Sequence, residues 1–287
     1  MKIGIVGSSE GNGHPYSWAS IINGHAAESL ELIPFPLIKN YLPTARIVGP
    51  TTGSRVTHVW SPSIADSKKI SRVAEIPHVC STMDQLARSV DAIIHARDDY
   101  WNHLDFIRFY SRYAKPVFLD KPIATSVTDL ERILAFDPSM SWLFSCSALV
   151  FEPRFQSFLD QESKVQRVIA SGPKSWDRYS IHLIEPTLKL LGSGLTLVHS
   201  DVQHDGGATS IHLDWEDGSM ARLETTGRSD SPLHFTLGSD SFEISDPSEA
   251  FASALEAFIR FSRGGPNANG REEIGHVVKI IEKGIKR

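Results

Sequence analysis

A lysine stands at the end of what reads as a buried strand. Val117-Phe118-Leu119 is an apolar run of strand length, followed by Asp120, Lys121 and Pro122. Pro122 cannot extend a sheet ladder, so the strand stops and Lys121 lies at its carboxyl end. In open parallel sheets, ligands bind at that end. A lysine there reaches a substrate hydroxyl or carboxylate with a mobile point charge, and burial can lower its pKa toward neutrality. The plainer reading is a solvated lysine capping a strand. A second such stretch is Gly7-Ser8-Ser9-Glu10-Gly11-Asn12-Gly13, with His14 behind it. It joins a strand-like run to a helical one, so its backbone can approach a pyrophosphate seated on helix N-terminal amides. The fingerprint Gly-x-Gly-x-x-Gly would need glycine where Ser9 stands, so Gly7, Gly11 and Gly13 imply a longer loop. An ordinary glycine-rich turn is the alternative.

These residues need elements to position them. Lys2–Val6 reads as the first strand and 14–24 as the helix after the loop, with Pro15 in its first turn. Residues 25–54, punctuated by Pro34, Pro36, Pro43 and Pro50, read as an irregular insertion near that loop. Arg55–Trp60 is the second strand. It ends in Ser61-Pro62-Ser63, where an acid would hold the adenosine ribose, and Asp66, Lys68 and Lys69 follow. A missing acid beside lysines suits a ribose 2′-phosphate; a helix cap with a solvated basic face also explains them. After a strand at 91–96, Arg97, Asp98 and His103 suit ligand contact, or a polar helix cap.

Ser126 and Asp129 form a capping-box variant, ahead of a strand at 142–147 and a short helix at 151–161. Then the pattern changes. Strands near 165–171, 196–203, 209–215, 219–225, 233–237 and 242–245 follow with a single helix, 181–191, among them. Asp217-Gly218 marks a hairpin, and two helices, 247–263 and 270–286, close the chain. Alternation first and strands later predict an α/β protein of two domains. Residues 1–123 would form a Rossmann-type, doubly wound parallel sheet. Residues 124–287 would form an α+β domain with an open, mostly antiparallel sheet.

Composition narrows the function classes. The net charge of −5 and pI near 6.2 argue against a nucleic-acid or anionic-membrane surface. No apolar run approaches the length of a membrane span, and the first residues lack a signal peptide's apolar core. Cys80 and Cys146 are the only cysteines, so a reducing compartment, the cytoplasm, is expected.

In order and spacing, these pieces resemble the Gfo/Idh/MocA oxidoreductases over almost the whole chain. The carriers are Lys2-Ile3-Gly4-Ile5-Val6-Gly7, Asp120-Lys121-Pro122 for the family's Glu-Lys-Pro, and Tyr179-Ser180-Ile181-His182-Leu183-Ile184-Glu185 with Leu190-Leu191-Gly192. Glu216-Asp217-Gly218-Ser219-Met220-Ala221 resembles the hairpin of the family's C-terminal sheet. The resemblance implies NAD(P)-linked hydride transfer at a sugar or cyclitol carbon. Lys121 would hold the reacting hydroxyl, and His182 would shuttle its proton. Gly7, Ser8, Ser9, Gly11, Asn12, Gly13, His14, Ser61, Arg97, Asp98, His103, Asp120 and Pro122 would line the cofactor, with His103 orienting its loop. Asp177, Arg178, Tyr179 and Glu185 would meet substrate.

Three departures stand out. Ser9 replaces a glycine, the second strand ends without an acid, and the acid of Asp-x-x-x-His falls at Arg178. Asp177 lies one residue earlier, about 100° around a helix. His182 and Glu185 also read as a surface hydrogen-bonded pair, and without a third ligand no metal is expected. The cofactor is NAD or NADP, with a slight lean to NADP. The departures keep open a non-catalytic nucleotide- or sugar-binding member, and a lyase or epimerase that holds its NAD. The resemblance also implies a homodimer or homotetramer, since in that family the open sheet face makes the contact.

Overall fold

The computed structural model of the protein describes residues 1–159, 165–192 and 194–286. Its first sheet is all parallel: β1 (Lys2–Val6), β2 (Arg55–Trp60), β3 (His78–Val79), β4 (Ala92–His95), β5 (Val117–Leu119) and β6 (Leu143–Phe144), in the order β3-β2-β1-β4-β5-β6. Apolar strands of this kind need cover on both faces, which helices supply. These are α1 (His14–Asn23), α2 (Pro36–Tyr41), α3 (Gly49–Thr52), α4 (Ile64–Val73), α5 (Met83–Ser89), α6 (His103–Tyr110) and α7 (Val127–Leu134). Their starts follow local chemistry. Ser63, Thr82 and Ser126 accept the backbone N–H three residues on, so α4, α5 and α7 begin where those hydroxyls stand. Strand order reverses between β1 and β4, which opens a crevice at their carboxyl ends.

The sixth strand shifts the expected division of the chain. β6 pairs with β5, so the first sheet continues past residue 123 to Phe144. β6 is also shorter than the expected strand at 142–147. Beyond Phe144 the backbone bonds to side chains instead of a ladder: Asn269 Nδ2 donates to the Ser145 carbonyl, and Ser147 N–H to Glu185. The insertion is helical in short pieces, α2 and α3 with single turns at Ala27–Leu32 and Leu42–Thr44. The two-residue β3 has no counterpart among the expected strands.

α8 (Pro153–Leu159) comes next; the last two residues of the helix expected at 151–161 lie outside the described residues. The second sheet has six strands: β7 (Arg167–Gly172), β8 (Leu197–Asp205), β9 (Ala208–Trp215), β10 (Met220–Thr225), β11 (His234–Leu237) and β12 (Asp240–Glu243). Their order is β12-β11-β7-β10-β9-β8, antiparallel except for the β7–β10 pair. Gly218 at φ 84° turns the β9–β10 hairpin. β12 starts two residues earlier than expected, because Gly238 at φ 60° allows a tight turn from β11. α9 (Trp176–Tyr179) and α10 (Ile181–Leu191) cross between β7 and β8.

The closing helices, α11 (Ser248–Phe261) and α12 (Arg271–Lys283), return to the first sheet. Phe258 of α11 lies 5.5 Å from Phe118 and 5.7 Å from Phe144, ring centre to ring centre, and Trp18 lies 5.0 Å from Phe118. Ile274 and Val278 of α12 join Leu130 and Ile133 of α7 in one buried cluster. One core therefore spans both halves of the chain. Among the described residues no helix is long and apolar enough to cross a membrane.

Candidate active site

The loop after β1 is tied to three neighbouring strand ends. Ser8 Oγ donates to Asp66 at 3.3 Å, and Ser9 Oγ to Asp98 at 2.7 Å. Arg97 forks onto Asp99 and donates to the Ser8 carbonyl at 2.6 Å. His103 is fully buried, with its ring nitrogens 3.1 Å from the carbonyls of Ile123 and Arg97, so it joins the loops after β4 and β5. Burial lowers its pKa. Within the loop, Gly11 sits at φ 73°, and a Cβ there would meet nothing within 4 Å. The N–H groups of residues 8–11 and 13 donate to no carbonyl or side chain among the described residues. Free amides around an open space, at the start of α1, fit a pyrophosphate. Gly13 is a close approach instead: a Cβ would fall 2.2 Å from Ile38 and 2.8 Å from Phe35, both in the insertion.

At the carboxyl end of β5, Asp120 is wholly buried and collects donors. Asn12 Nδ2 donates to it at 3.0 Å, His14 Nδ1 at 2.6 Å, and the Lys121 N–H at 2.8 Å. Burial pushes its pKa up, but the charges of His14 and Lys121 outweigh this and hold the carboxyl well below its ordinary range. The His14 ring stacks on Trp18 at 4.4 Å. Lys121 is only 7% exposed, and no carboxylate pairs with it among the described residues.

α10 presents His182 from the second domain. Ser147 Oγ lies 2.8 Å from His182 Nδ1, and Ser147 N–H donates to Glu185 at 2.8 Å, so one serine holds both. The Tyr179 ring centre is 4.7 Å from that of His182. Burial first, then the positive charges of Lys121 and His14, pushes the His182 pKa well below its ordinary value; Lys174 adds to this. Lys121 at a strand end and His14 at a helix start thus lie within electrostatic reach of His182 on α10.

Other expected contacts are placed differently. Asp177 accepts from Tyr100 at 2.9 Å, across the cleft, while the Arg178 guanidinium lies 5.4 Å from the centre of Trp101. Glu185 is a correction. It is buried, both oxygens accept from the chain (Ser147 N–H and Asn269 Nδ2), and burial raises its pKa to about 7. It braces the 145–147 segment and is not free to receive substrate; nor is it a surface partner of His182. Ser61 is also buried, with its hydroxyl spent on the Ser63 carbonyl and Ser67. Pro122 continues the chain from Lys121 within the buried strand end. No group of metal-ligand side chains occurs among the described residues. Ser147 and Lys174 were not foreseen. Ser147 follows β6 of the parallel sheet, where the strand-end rule that singles out Lys121 points; Lys174 follows β7 of the second, mostly antiparallel sheet, to which that rule does not extend.

Residues 1–141 match the model of an oxidoreductase family with an NAD-binding Rossmann fold. Among solved structures, a putative myo-inositol dehydrogenase from Sinorhizobium meliloti 1021 is similar at 15% identity and TM-score 0.72, covering 98% of this chain and 95% of that one. Myo-inositol dehydrogenase from Lactobacillus casei, solved with NAD(H) and myo-inositol, is similar at 11% identity and TM-score 0.70, over 99% and 93%. A UDP-N-acetylglucosamine 3-dehydrogenase from Acidithiobacillus ferrooxidans gives 11% and 0.66, over 99% and 96%. At these identities the likeness is one of fold. No curated protein matches the chain.

Proposed function

We propose that this chain, whose first 141 residues match the Gfo/Idh/MocA oxidoreductase family model, transfers hydride between NAD(P) and a carbon of a sugar, cyclitol or related polyol. The observation that carries this reading is buried, unpaired Lys121 at the end of β5, close enough for its charge to act on His182, on the same side of the sheet as a loop of free amides. The bound dinucleotide supplies or accepts the hydride. Residues 8–13 seat its pyrophosphate, and Lys121 fixes and polarises the reacting hydroxyl. His182 is neutral at pH 7, because burial and nearby cations oppose its charging, and it takes the hydroxyl proton as hydride leaves the same carbon. Ser147 holds the imidazole at Nδ1 and leaves Nε2 for that proton.

The side chains favour NAD over the NADP lean drawn from Ser61. Ser61 is spent internally, and the Asp66 carboxylate reaches the first loop at Ser8. A carboxylate there accepts from ribose hydroxyls and repels a 2′-phosphate. Calorimetry with NAD, NADH, NADP and NADPH tests both points. NAD should bind about tenfold more tightly than NADP, a difference of about 1.4 kcal/mol, and Asp66→Asn should narrow the gap. Absence of heat with all four at millimolar concentration would remove the dinucleotide reading. Release of NADH into solution separates a dehydrogenase from a lyase or epimerase that reoxidises its cofactor in place. The chain also assembles as a homo-oligomer in this reading, through the open sheet face that Ser210, His212 and Asp214 line, opposite the core face of buried Ile211, Leu213 and Trp215. Light scattering at micromolar concentration should give more than a monomer mass.

A further inference from the structure

Three cations stand at the substrate side of this site, none of them in an ion pair among the described residues. Lys121 is more than nine-tenths buried. Lys174 follows β7 and holds its Nζ 6.0 Å from the centre of the Tyr179 ring, which itself packs against His182. Arg178 of α9 lies over Trp101, across the cleft. The acids nearby are taken: Asp98 by Ser9, Asp99 by Arg97, Asp120 by Asn12 and His14, Asp177 by Tyr100. Among the described residues no carboxylate pairs with Lys121, Lys174 or Arg178. Lys174, an exposed side chain with a partly covered stem, feels these charges: partial burial and then Lys121 lower its pKa, Asp98 opposes them, and Arg178 adds to the lowering. Gathering unpaired positive charge beside a buried ammonium is unfavourable until an anion arrives.

We propose that the substrate carries an oxyanion, a carboxylate or a phosphate, which Lys174 and Arg178 receive while Lys121 holds the reacting hydroxyl. This rests on the hydride-transfer reading and gives its substrate class. Arg178 contributes a planar fork that matches either oxyanion bidentately, and Lys174 a point charge that follows it. Trp101, 58% exposed, backs the guanidinium and leaves its edge for the ligand. A neutral polyol would leave the two cations as they are and gain nothing from them.

The test is calorimetry on the full chain saturated with reduced dinucleotide, so that sugar hydroxyls bind without transferring hydride. Glucose, glucuronate, glucose 6-phosphate and UDP-glucose are the probes. At least one anionic sugar should bind ten or more times as tightly as glucose, and raised salt should shrink that gain. Which one gains distinguishes a carboxylate from a phosphate. In a Lys174→Met, Arg178→Met double variant the gain should vanish while dinucleotide affinity stays. The proposal is overturned if none of the three exceeds glucose, absence of binding included, or if the double variant keeps the full gain. Failure of the wild-type chain to bind any dinucleotide would instead remove the hydride-transfer reading beneath it.

Discussion

Each side chain at the site is held by a neighbour that limits what it can do. Lys121 has a fixed backbone and a free ammonium, because Asp120 accepts its N–H and spends its other lone pairs on Asn12 and His14. Lys121→Ala should lower turnover about 10²–10⁴-fold with dinucleotide affinity largely kept, as loss of a positioned group in proton transfer does. His182→Ala should do the same and also change the pH profile. The depressed pKa of His182 puts the acid limb of the oxidation rate below its ordinary 6.5, and that limb should disappear in the variant. Unchanged turnover in both variants would move the chemistry elsewhere. Ser147 is a positioning residue. Ser147→Ala removes about 1 kcal/mol of hydrogen bonding, roughly fivefold in kcat, and should shift the acid limb while leaving dinucleotide KM alone. A lower melting midpoint with kcat and pH profile intact would reduce Ser147 to a structural part.

Elements set those residues at strand ends, and here the sequence was legible in part. Strong periodicity and side-chain caps mark β1, β2, β4, β5, α4 and α7, and these lie close to where the sequence puts them. The places of Lys121 at a strand end and of His182 on a helix were both legible, from an apolar run stopped by proline and from a spaced motif. What was not legible depends on partners far along the chain. Ser147 gains its meaning from His182 and Glu185, 35 and 38 residues on, and Glu185 also from Asn269, 84 residues on. The two-residue β3 is too short to show a period, and the insertion's turns are formed by tertiary contact. α3 illustrates the last point. A Cβ on Gly49 would fall 2.2 Å from the Ile22 carbonyl oxygen at the end of α1 and 2.9 Å from that of Ser54. Backbone oxygens cannot swing aside, so Gly49→Ala should destabilise the protein by about 1–3 kcal/mol. Urea denaturation would show it as a lower midpoint with an unchanged slope; an unchanged midpoint would mean that the insertion is not seated this way.

Across the whole molecule, buried titratable groups set how stability responds to pH. His95, His103 and His182 all have folded pKa values below the ordinary 6.5. Below that pH the unfolded chain binds protons that the folded chain refuses, so stability is present above about 6.5 and is lost as pH falls. Glu185 acts in the other direction. Its folded pKa of about 7 exceeds the ordinary 4.5, so its contribution is present below 4.5 and is lost as pH rises through 7. Three imidazoles outweigh one carboxyl. The melting temperature should fall between pH 6.5 and 5, and a flat or rising curve there would contradict the buried neutral histidines.

The return of α11 and α12 to the first sheet also orders events during synthesis. Domains tend to fold as they leave the ribosome, N-terminal part first. Here the face of β5 and β6 that carries Phe118 and Phe144 waits for Phe258, more than a hundred residues later. A nascent chain of some 150 residues therefore has its strands but lacks the part of their cover that α11 supplies, and that stretch of aromatic face is open to whatever binds exposed apolar surface. A ribosome stalled there should hold a chain that proteases cut readily. One stalled well beyond α12 should hold a chain that resists.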